Sequence, residues 1–119
     1  VAITRNVLRG EIVRADGQFS YFGTGGGEIL CPEQNGEFKA AVIPYDDVIL
    51  STAPIDTSAQ NQFEGRVVSI QRQQNKYLVT MDCGFPITSV ITGYSIESLR
   101  VSIGVELYAI FKASAVRLY

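Results

Sequence analysis

The sequence predicts an all-β protein made of two similar small β-barrel halves and one short helix. Apolar residues alternate or run in short blocks along the 119 residues, and glycines interrupt them about every ten residues. A hydrophobic content of 46% is enough to build a core in a chain of this length. A motif near the start of the chain recurs near its middle, which indicates two related halves.

Turn signals place the strands along the chain. Asp16-Gly17 lies between two apolar runs and predicts a hairpin, because a type I′ turn requires positive φ, which glycine accepts. Gln73-Gln74-Asn75 is a weaker turn signal. A short helix is predicted over Ser95–Leu99, with Ser95 as a possible N-cap and Gly104 beyond its end. The predicted strands cover residues 7–14, 18–22, 27–31, 38–43, 47–51, 63–71, 76–82, 86–91, 105–111 and 115–118.

The repeated motif is an Asn, a Gly four residues later and then a β-branched run. It begins at Asn6 and again at Asn61, and similar strands near the end of each half begin at Val48 and Val116. Chance similarity between β-rich segments is the competing explanation of this repeat.

The repeat divides the chain into two subdomains. We predict a first OB-like subdomain over residues 1–53, a linker over 54–57 and a second subdomain over 58–119. Pro54 favours an extended linker, and the linker is short enough for the halves to pack together.

Charge and cysteine content exclude several classes of function. A formal net charge of −2 argues against a nucleic-acid partner, whose phosphates require a basic face. Cys31 and Cys83 have neither CxxC spacing nor any histidine to complete a zinc site, so we expect two buried free thiols. Without histidine or a nucleophile-elbow serine we expect no enzyme activity. The lack of a long apolar run or secretion signal predicts a soluble, cytoplasmic chain.

Two further motifs favour structural interpretations. The glycine-rich segment 23–27 lacks the lysine and the helix of a phosphate-binding loop, so a flexible hairpin tip is the better interpretation. Asp46 and Asp47 would point to opposite faces of a strand and could not share one ion, so we interpret them as a turn before the strand that follows.

Two distant segments carry the candidate binding chemistry. Ser58-Ala59-Gln60-Asn61 and Phe111-Lys112-Ala113-Ser114 offer small polar and main-chain donors, and Lys112 adds one positive charge. These are the groups that a tetrahedral dianion requires. An exposed strand lysine whose stem lies on apolar neighbours is the competing interpretation of Lys112.

The second half resembles the molybdate/tungstate-binding Mop or TOBE domain family. The family pattern begins Ser-Ala-Arg-Asn, which stands here as Ser58-Ala59-Gln60-Asn61, and continues with a Gly and a β-branched strand. It ends in a strand carrying Lys-Ala-Ser, which stands here at Lys112-Ala113-Ser114. A Thr/Ser-bearing strand and short helix lie between them, at 91–99. The resemblance implies no cofactor, molybdate or tungstate as ligand, and binding by Ser58, Ala59, Gln60, Asn61, Thr92, Ser95, Lys112, Ala113 and Ser114.

Residues 1–53 resemble the preceding part of the regulatory region of importer ATP-binding subunits, notably at Ile43–Ser51. The resemblance implies the regulatory domain of a molybdate- or tungstate-importing ABC ATPase. It also implies a homodimer with ligands between subunits, so that Thr92 and Ser95 reach a ligand held by the neighbouring chain. The parent protein would contact a membrane permease, and bound oxyanion would hold the paired ATPases apart and stop import. No nucleotide-binding motif occurs in the chain itself.

Gln60 departs from the family pattern, where arginine stands. An amide offers fewer donors than a guanidinium and no charge, so binding is expected to be weaker or lost. Arg5 occupies the corresponding place in the first half and is a candidate to compensate.

Three alternatives stay open at the level of sequence. The same barrels could form a protein-interaction module without ligand, in a sugar- or iron-importer ATPase, and Gln60 is the best evidence for it. A free-standing oxyanion carrier is the second alternative. The third is an OB-type single-strand binder that stacks bases on Tyr21, Phe22, Tyr77 and Tyr94.

Overall fold

The computed structural model describes residues 4–119 and confirms an all-β fold with one short helix, α1, at Gly93–Ser98. The first three residues of the predicted first half lie outside this range. Single 3-10 turns occur at Tyr45–Asp47 and Ala113–Ala115. In chain order, strands β1 to β11 are Arg5–Arg9, Glu11–Ala15, Phe19–Thr24, Gly27–Pro32, Ala40–Pro44, Ile49–Ser51, Asn61–Gln73, Lys76–Asp82, Pro86–Thr92, Glu106–Phe111 and Arg117–Leu118.

Three predicted elements differ from the observed ones. The strand predicted at 7–14 is two strands, β1 and β2, which belong to different sheets. They separate at Gly10, where an added Cβ would overlap the main-chain oxygen of Gly23. The strand predicted at 115–118 is reduced to β11, because the second 3-10 turn takes up the residues before it. Helix α1 begins before Ser95, and its N-cap is Thr92, whose hydroxyl accepts a hydrogen bond from the Ser95 main-chain N–H.

The hairpin predicted at Asp16-Gly17 joins β2 and β3, but its turn is not type I′. The connection has three residues, and of these only Gly17 has positive φ, at 87°. The Asp16 carboxylate accepts hydrogen bonds from the N–H groups of Gln18 and Phe19, at 3.0 and 2.7 Å. These bonds help to lower the pKa of Asp16, and the bond from Phe19 contributes most. A side-chain Asx turn therefore replaces the expected backbone turn.

The two halves exchange their last strands. The sheets have the orders β1-β5-β11, β6-β10-β7-β8-β9 and β2-β3-β4. Strand β6, from the first half, pairs with β10, and β11, from the second half, pairs with β5. The division at residues 54–57 stays a prediction about sequence, and the hydrogen-bonded sheets extend across it.

The sequence repeat corresponds to a structural repeat. A β-bulge occurs between Ile12 and Arg14 in β2, and a matching one occurs between Val67 and Ser69 in β7. The second glycine of the motif, Gly65, is also closely approached: an added Cβ would lie 2.6 Å from the main-chain oxygen of Asp82. Gly10 and Gly65 thus each allow a neighbouring backbone segment to come close, at Gly23 and at Asp82 respectively.

The asparagines of the motif bind the opposite half. The side chain of Asn61 accepts a hydrogen bond from the Leu30 N–H at 2.9 Å and donates one to the Leu30 carbonyl at 2.8 Å. The side chain of Asn6 accepts from the Thr88 N–H at 2.8 Å and donates to the Thr88 carbonyl at 2.9 Å. Each amide therefore pairs with an edge strand, β4 or β9, as another strand would.

One hydrophobic core serves both halves. Fully buried residues from the first half, such as Phe22 and Ile43, belong to the same cluster as Met81 and Phe111 from the second. The glycine-rich tip of the β3–β4 hairpin is anchored, because Gly26 donates a 2.9 Å hydrogen bond to the carbonyl of Gly84. No helix within residues 4–119 has the length and apolar character that crossing a bilayer requires.

Replacing Asn61 with alanine is expected to lower the free energy of unfolding by about 1–3 kcal/mol, because the Leu30 N–H and carbonyl lose their partner in a partly buried place. Urea denaturation of Asn61→Ala measures this change. The exposed Asn35 provides the control, and Asn35→Ala should change stability by less than about 0.5 kcal/mol. Equal stability of the two variants would show that the Asn61 amide does not hold the halves together.

Candidate anion-binding site

The two candidate segments meet because of one strand register. In the antiparallel pair of β7 and β10, Asn61 lies opposite Phe111. Gln60 and Lys112 come directly outside this last pair. An antiparallel ladder therefore brings residues 58–60 and 112–114 together, although about fifty residues separate them in the sequence.

A shallow cavity of about 370 Å³ lies where the segments meet. Of the predicted ligand-binding residues, five line it: Ser58, Gln60, Lys112, Ala113 and Ser114. The first half contributes the other lining residues, Gln18, Phe19 and Pro32, so the cavity lies between the two halves. We call this cavity the groove.

The groove offers one cation and several neutral hydrogen-bonding groups. Lys112, Ser58 and Ser114 have exposed side chains, whereas Ala113 is only 3% exposed. The N–H of Ala113 donates a 3.3 Å hydrogen bond to Oε1 of Gln60. A lysine among hydroxyls and main-chain N–H groups is suited to a small oxyanion.

The lining residues of the first half were missed by the sequence prediction. Phe19 pairs with Pro32 across β3 and β4, and Gln18 directly precedes Phe19. None of the three carries an anion-binding signature, and only the packing of one half on the other brings them to the groove.

Four predicted ligand-binding residues do not line the groove. Ala59 is buried and lines a neighbouring cavity of about 250 Å³. The Asn61 side chain is committed to Leu30. Thr92 and Ser95 hydrogen-bond to each other at the start of α1, with 3.2 Å between their hydroxyl oxygens. Thr92 and Ser95 can therefore contact only a ligand that lies outside the groove of their own chain.

The first half contains counterparts of the groove residues Gln60, Lys112 and Ser114, with different chemistry. Arg5 corresponds to Gln60 and Pro44 corresponds to Lys112, because Arg5 lies opposite Pro44 in the pair of β1 and β5. Arg5 does not line the groove. The middle residue of the first 3-10 turn is Asp46, whereas that of the second is Ser114. The counterpart therefore has a carboxylate in place of the Ser114 hydroxyl, a proline in place of Lys112 and an arginine in place of Gln60. The predicted turn at Asp46-Asp47 is confirmed.

The base-stacking alternative lacks its surface. Phe22 is fully buried, so it cannot stack on a base. The ring of Tyr21 is covered by the Arg14 guanidinium, 4.0 Å from its centroid, and its hydroxyl donates a 2.7 Å hydrogen bond to Asp16. Tyr94 is 81% exposed on α1. The four aromatic residues therefore do not form one exposed platform.

Both cysteines are free thiols, as predicted, although only Cys31 is fully buried. Burial raises the pKa of both thiols, and together with the nearby Asp82 it raises that of Cys83 to about 11. No group of three or more His, Cys, Asp or Glu side chains placed to hold a metal ion occurs among residues 4–119.

Because a raised pKa favours the neutral thiol, the native protein is expected to react slowly with a thiol reagent at pH 8. Both thiols should react rapidly in guanidinium chloride, and native Cys83 should become reactive as the pH approaches 11. Absorbance of released thionitrobenzoate measures these rates. Rapid native labelling of both thiols at pH 8 would contradict their raised pKa values.

Two strand-exchanged β-barrel halves with a small groove between them define a small β-barrel binding domain. The chain belongs to the TOBE domain family, whose family model matches residues 57–118.

Three curated relatives match the chain. The molybdate/tungstate import ATP-binding protein WtpC of Pyrococcus abyssi is 32% identical over 119 residues, 98% of this chain and 32% of WtpC. The molybdenum transport protein ModE of Herbaspirillum seropedicae is 36% identical over 85 residues, 68% of this chain and 32% of ModE. A probable molybdenum-pterin-binding protein of Haemophilus influenzae is 36% identical over 61 residues, 50% of this chain and 88% of that protein. The chain thus spans about a third of the length of WtpC and ModE.

A solved structure shares the whole fold. The cytoplasmic molybdate-binding protein ModG, in a crystal form with molybdate bound, superposes with a TM-score of 0.80. The superposition covers 98% of this chain and 96% of the ModG chain, at 24% sequence identity. This likeness establishes the tandem β-barrel architecture.

Proposed function

We propose that this chain binds molybdate or tungstate in the groove, as the regulatory domain of an ABC importer ATPase. The observation that supports the proposal most is the convergence of Ser58, Lys112 and Ser114 around one cavity. A tetrahedral dianion needs several convergent donors and limited positive charge, and these residues supply both.

The contrast between the halves supports binding at this groove in particular. The counterpart in the first half carries Pro44 and Asp46 where the groove has Lys112 and Ser114. The groove has one cation and no carboxylate among its lining residues, whereas the counterpart in the first half contains both the Arg5 cation and the Asp46 carboxylate. Local donors control binding despite the net charge of −2, because salt screens charges beyond about 8 Å.

The relatives support the choice of ligand and context. The names of WtpC, ModE and the Haemophilus influenzae protein all refer to molybdate, tungstate or molybdenum, and ModG was crystallised with molybdate. WtpC matches nearly the whole chain and is an import ATP-binding protein. An importer ATPase in the cytoplasm, in contact with a membrane permease, is therefore the proposed parent.

Regulation requires the ligand to discriminate between two states. In the proposed mechanism, cytoplasmic oxyanion binds paired regulatory domains and holds the attached ATPases apart, so that import stops. Only a ligand that binds the separated arrangement more tightly can shift this equilibrium.

A homodimer is part of the proposal. Thr92 and Ser95 lie at the exposed start of α1 and are not lining residues of their own groove. In a homodimer the second copy could bring these hydroxyls to a ligand held by Ser58 and Lys112.

A free-standing oxyanion carrier is the second candidate function. It is favoured by the coverage of ModG, of which this chain matches 96%. The length of the natural gene product decides between a carrier and a domain of an ATPase.

An interaction module without ligand is favoured by Gln60 alone. It keeps the same fold, and a calorimetric titration separates it from both binding functions.

Isothermal titration calorimetry of the chain with molybdate is expected to show binding at micromolar concentrations. Tungstate should bind with similar affinity, and sulfate should not bind. Lys112→Ala should weaken binding by roughly ten- to a hundredfold, since it removes a charge-assisted hydrogen bond. The exposed Lys76 at the start of β8 provides a matched control, and Lys76→Ala should bind as the unaltered chain does. No heat up to millimolar molybdate would favour the interaction module.

Light scattering after size exclusion is expected to give a mass of about twice the 13.0 kDa of the chain when molybdate is present. A monomer that still binds one molybdate would contradict a site shared between subunits. It would leave the groove as a site within one chain.

A further inference from the structure

The side chain of Gln60 accepts a hydrogen bond from a main-chain N–H group that lines the groove. Its amide oxygen accepts the 3.3 Å hydrogen bond from the N–H of Ala113. The 3-10 turn itself does not use this N–H, because its hydrogen bonds run from Ala115 to the Lys112 carbonyl and from Val116 to the Ala113 carbonyl. The first N–H of such a turn is free for an outside acceptor.

We propose that Gln60 is an internal competitor of the oxyanion, an inference that rests on the function proposed above. In the ligand-free chain its amide oxygen stands where a ligand oxygen would accept the Ala113 N–H. A bound oxyanion takes over this N–H, and the Gln60 side chain rotates away.

The geometry makes this displacement easy. At 3.3 Å the hydrogen bond lies beyond the usual range of N–H···O distances, which indicates a weak bond. Gln60 is exposed, and its Nε2 makes no hydrogen bond to another residue of the 4–119 range. The side chain is thus held by one weak contact and has solvent into which it can rotate.

The chemistry of the acceptors determines which ligands succeed. A neutral amide oxygen and an anionic oxygen compete for the same N–H, and the charge-assisted bond is the stronger. A doubly charged oxyanion beside Lys112 therefore displaces Gln60 more readily than a weak neutral acceptor does. Gln60 thereby lowers the affinity by the same factor for every ligand that must take over the Ala113 N–H, and only ligands that bind strongly to the open groove stay bound at low concentrations.

The test compares Gln60→Met with the unaltered chain. Methionine keeps nearly the length of glutamine but is only a weak acceptor, so the Ala113 N–H becomes free. Gln71 is exposed in β7 and does not line the groove, so Gln71→Met is the matched control. Two measurements apply to each protein: hydrogen exchange of the Ala113 amide by NMR without ligand, and calorimetric titration with sodium molybdate.

The expected result is faster exchange at Ala113 in Gln60→Met and roughly two- to tenfold tighter molybdate binding, the range that one neutral hydrogen bond supplies. Gln71→Met should change neither quantity. Binding of molybdate by Gln60→Met alone would also support the inference, since removing the competitor would then have restored a blocked site.

Two results would overturn the inference in distinguishable ways. If the unaltered chain binds molybdate and Gln60→Met binds equally or more weakly, Gln60 is not a competitor, and the proposed function stands. If neither protein binds molybdate or tungstate up to millimolar concentrations, the proposed function fails. The competitor role then fails with it, whatever the exchange rate at Ala113.

Discussion

The reciprocal pairing of two asparagine side chains with the opposite half is the interaction on which the rest of this structure depends. Asn61 satisfies the main chain of Leu30 in β4, and Asn6 satisfies that of Thr88 in β9. An unpaired buried amide is costly, so each half needs the other half's asparagine. With the exchanged strands β6 and β11, these bonds fix the halves at one relative position and hence fix the groove between them.

Two copies of one arrangement have diverged in charge while keeping their backbone. Matching bulges, close-approach glycines and 3-10 turns occur in both halves. Around the second turn the chain places Lys112 and Ser114, and around the first it places Pro44 and Asp46. Because the scaffold is held by main-chain and asparagine contacts, the residues around the two turns differ while the backbone arrangement stays the same.

Much of this organisation follows from local sequence. Strand periodicity, the glycine-rich tip and the repeat of Asn and Gly are local features, and the structure contains the strands, hairpins and paired halves that they predict. The predicted boundaries of strands and of the helix were wrong where contacts with residues distant in the sequence determine them. Gly10 divides the strand predicted at 7–14 because the backbone of Gly23 approaches it. Thr92 rather than Ser95 caps α1 because β9 runs directly into the helix.

The sequence by itself determined the fold class, the turn positions and the residue types of the candidate site, because periodicity and turn chemistry act between near neighbours. Only the tertiary structure decided which of those residues meet. The β7–β10 register brings Gln60 beside Ala113 and leaves Thr92 elsewhere, and the packing of the halves adds Gln18, Phe19 and Pro32. Asn61, which the motif suggested as a ligand, instead binds β4. Such contacts depend on strand register and the shared core, which no local pattern encodes.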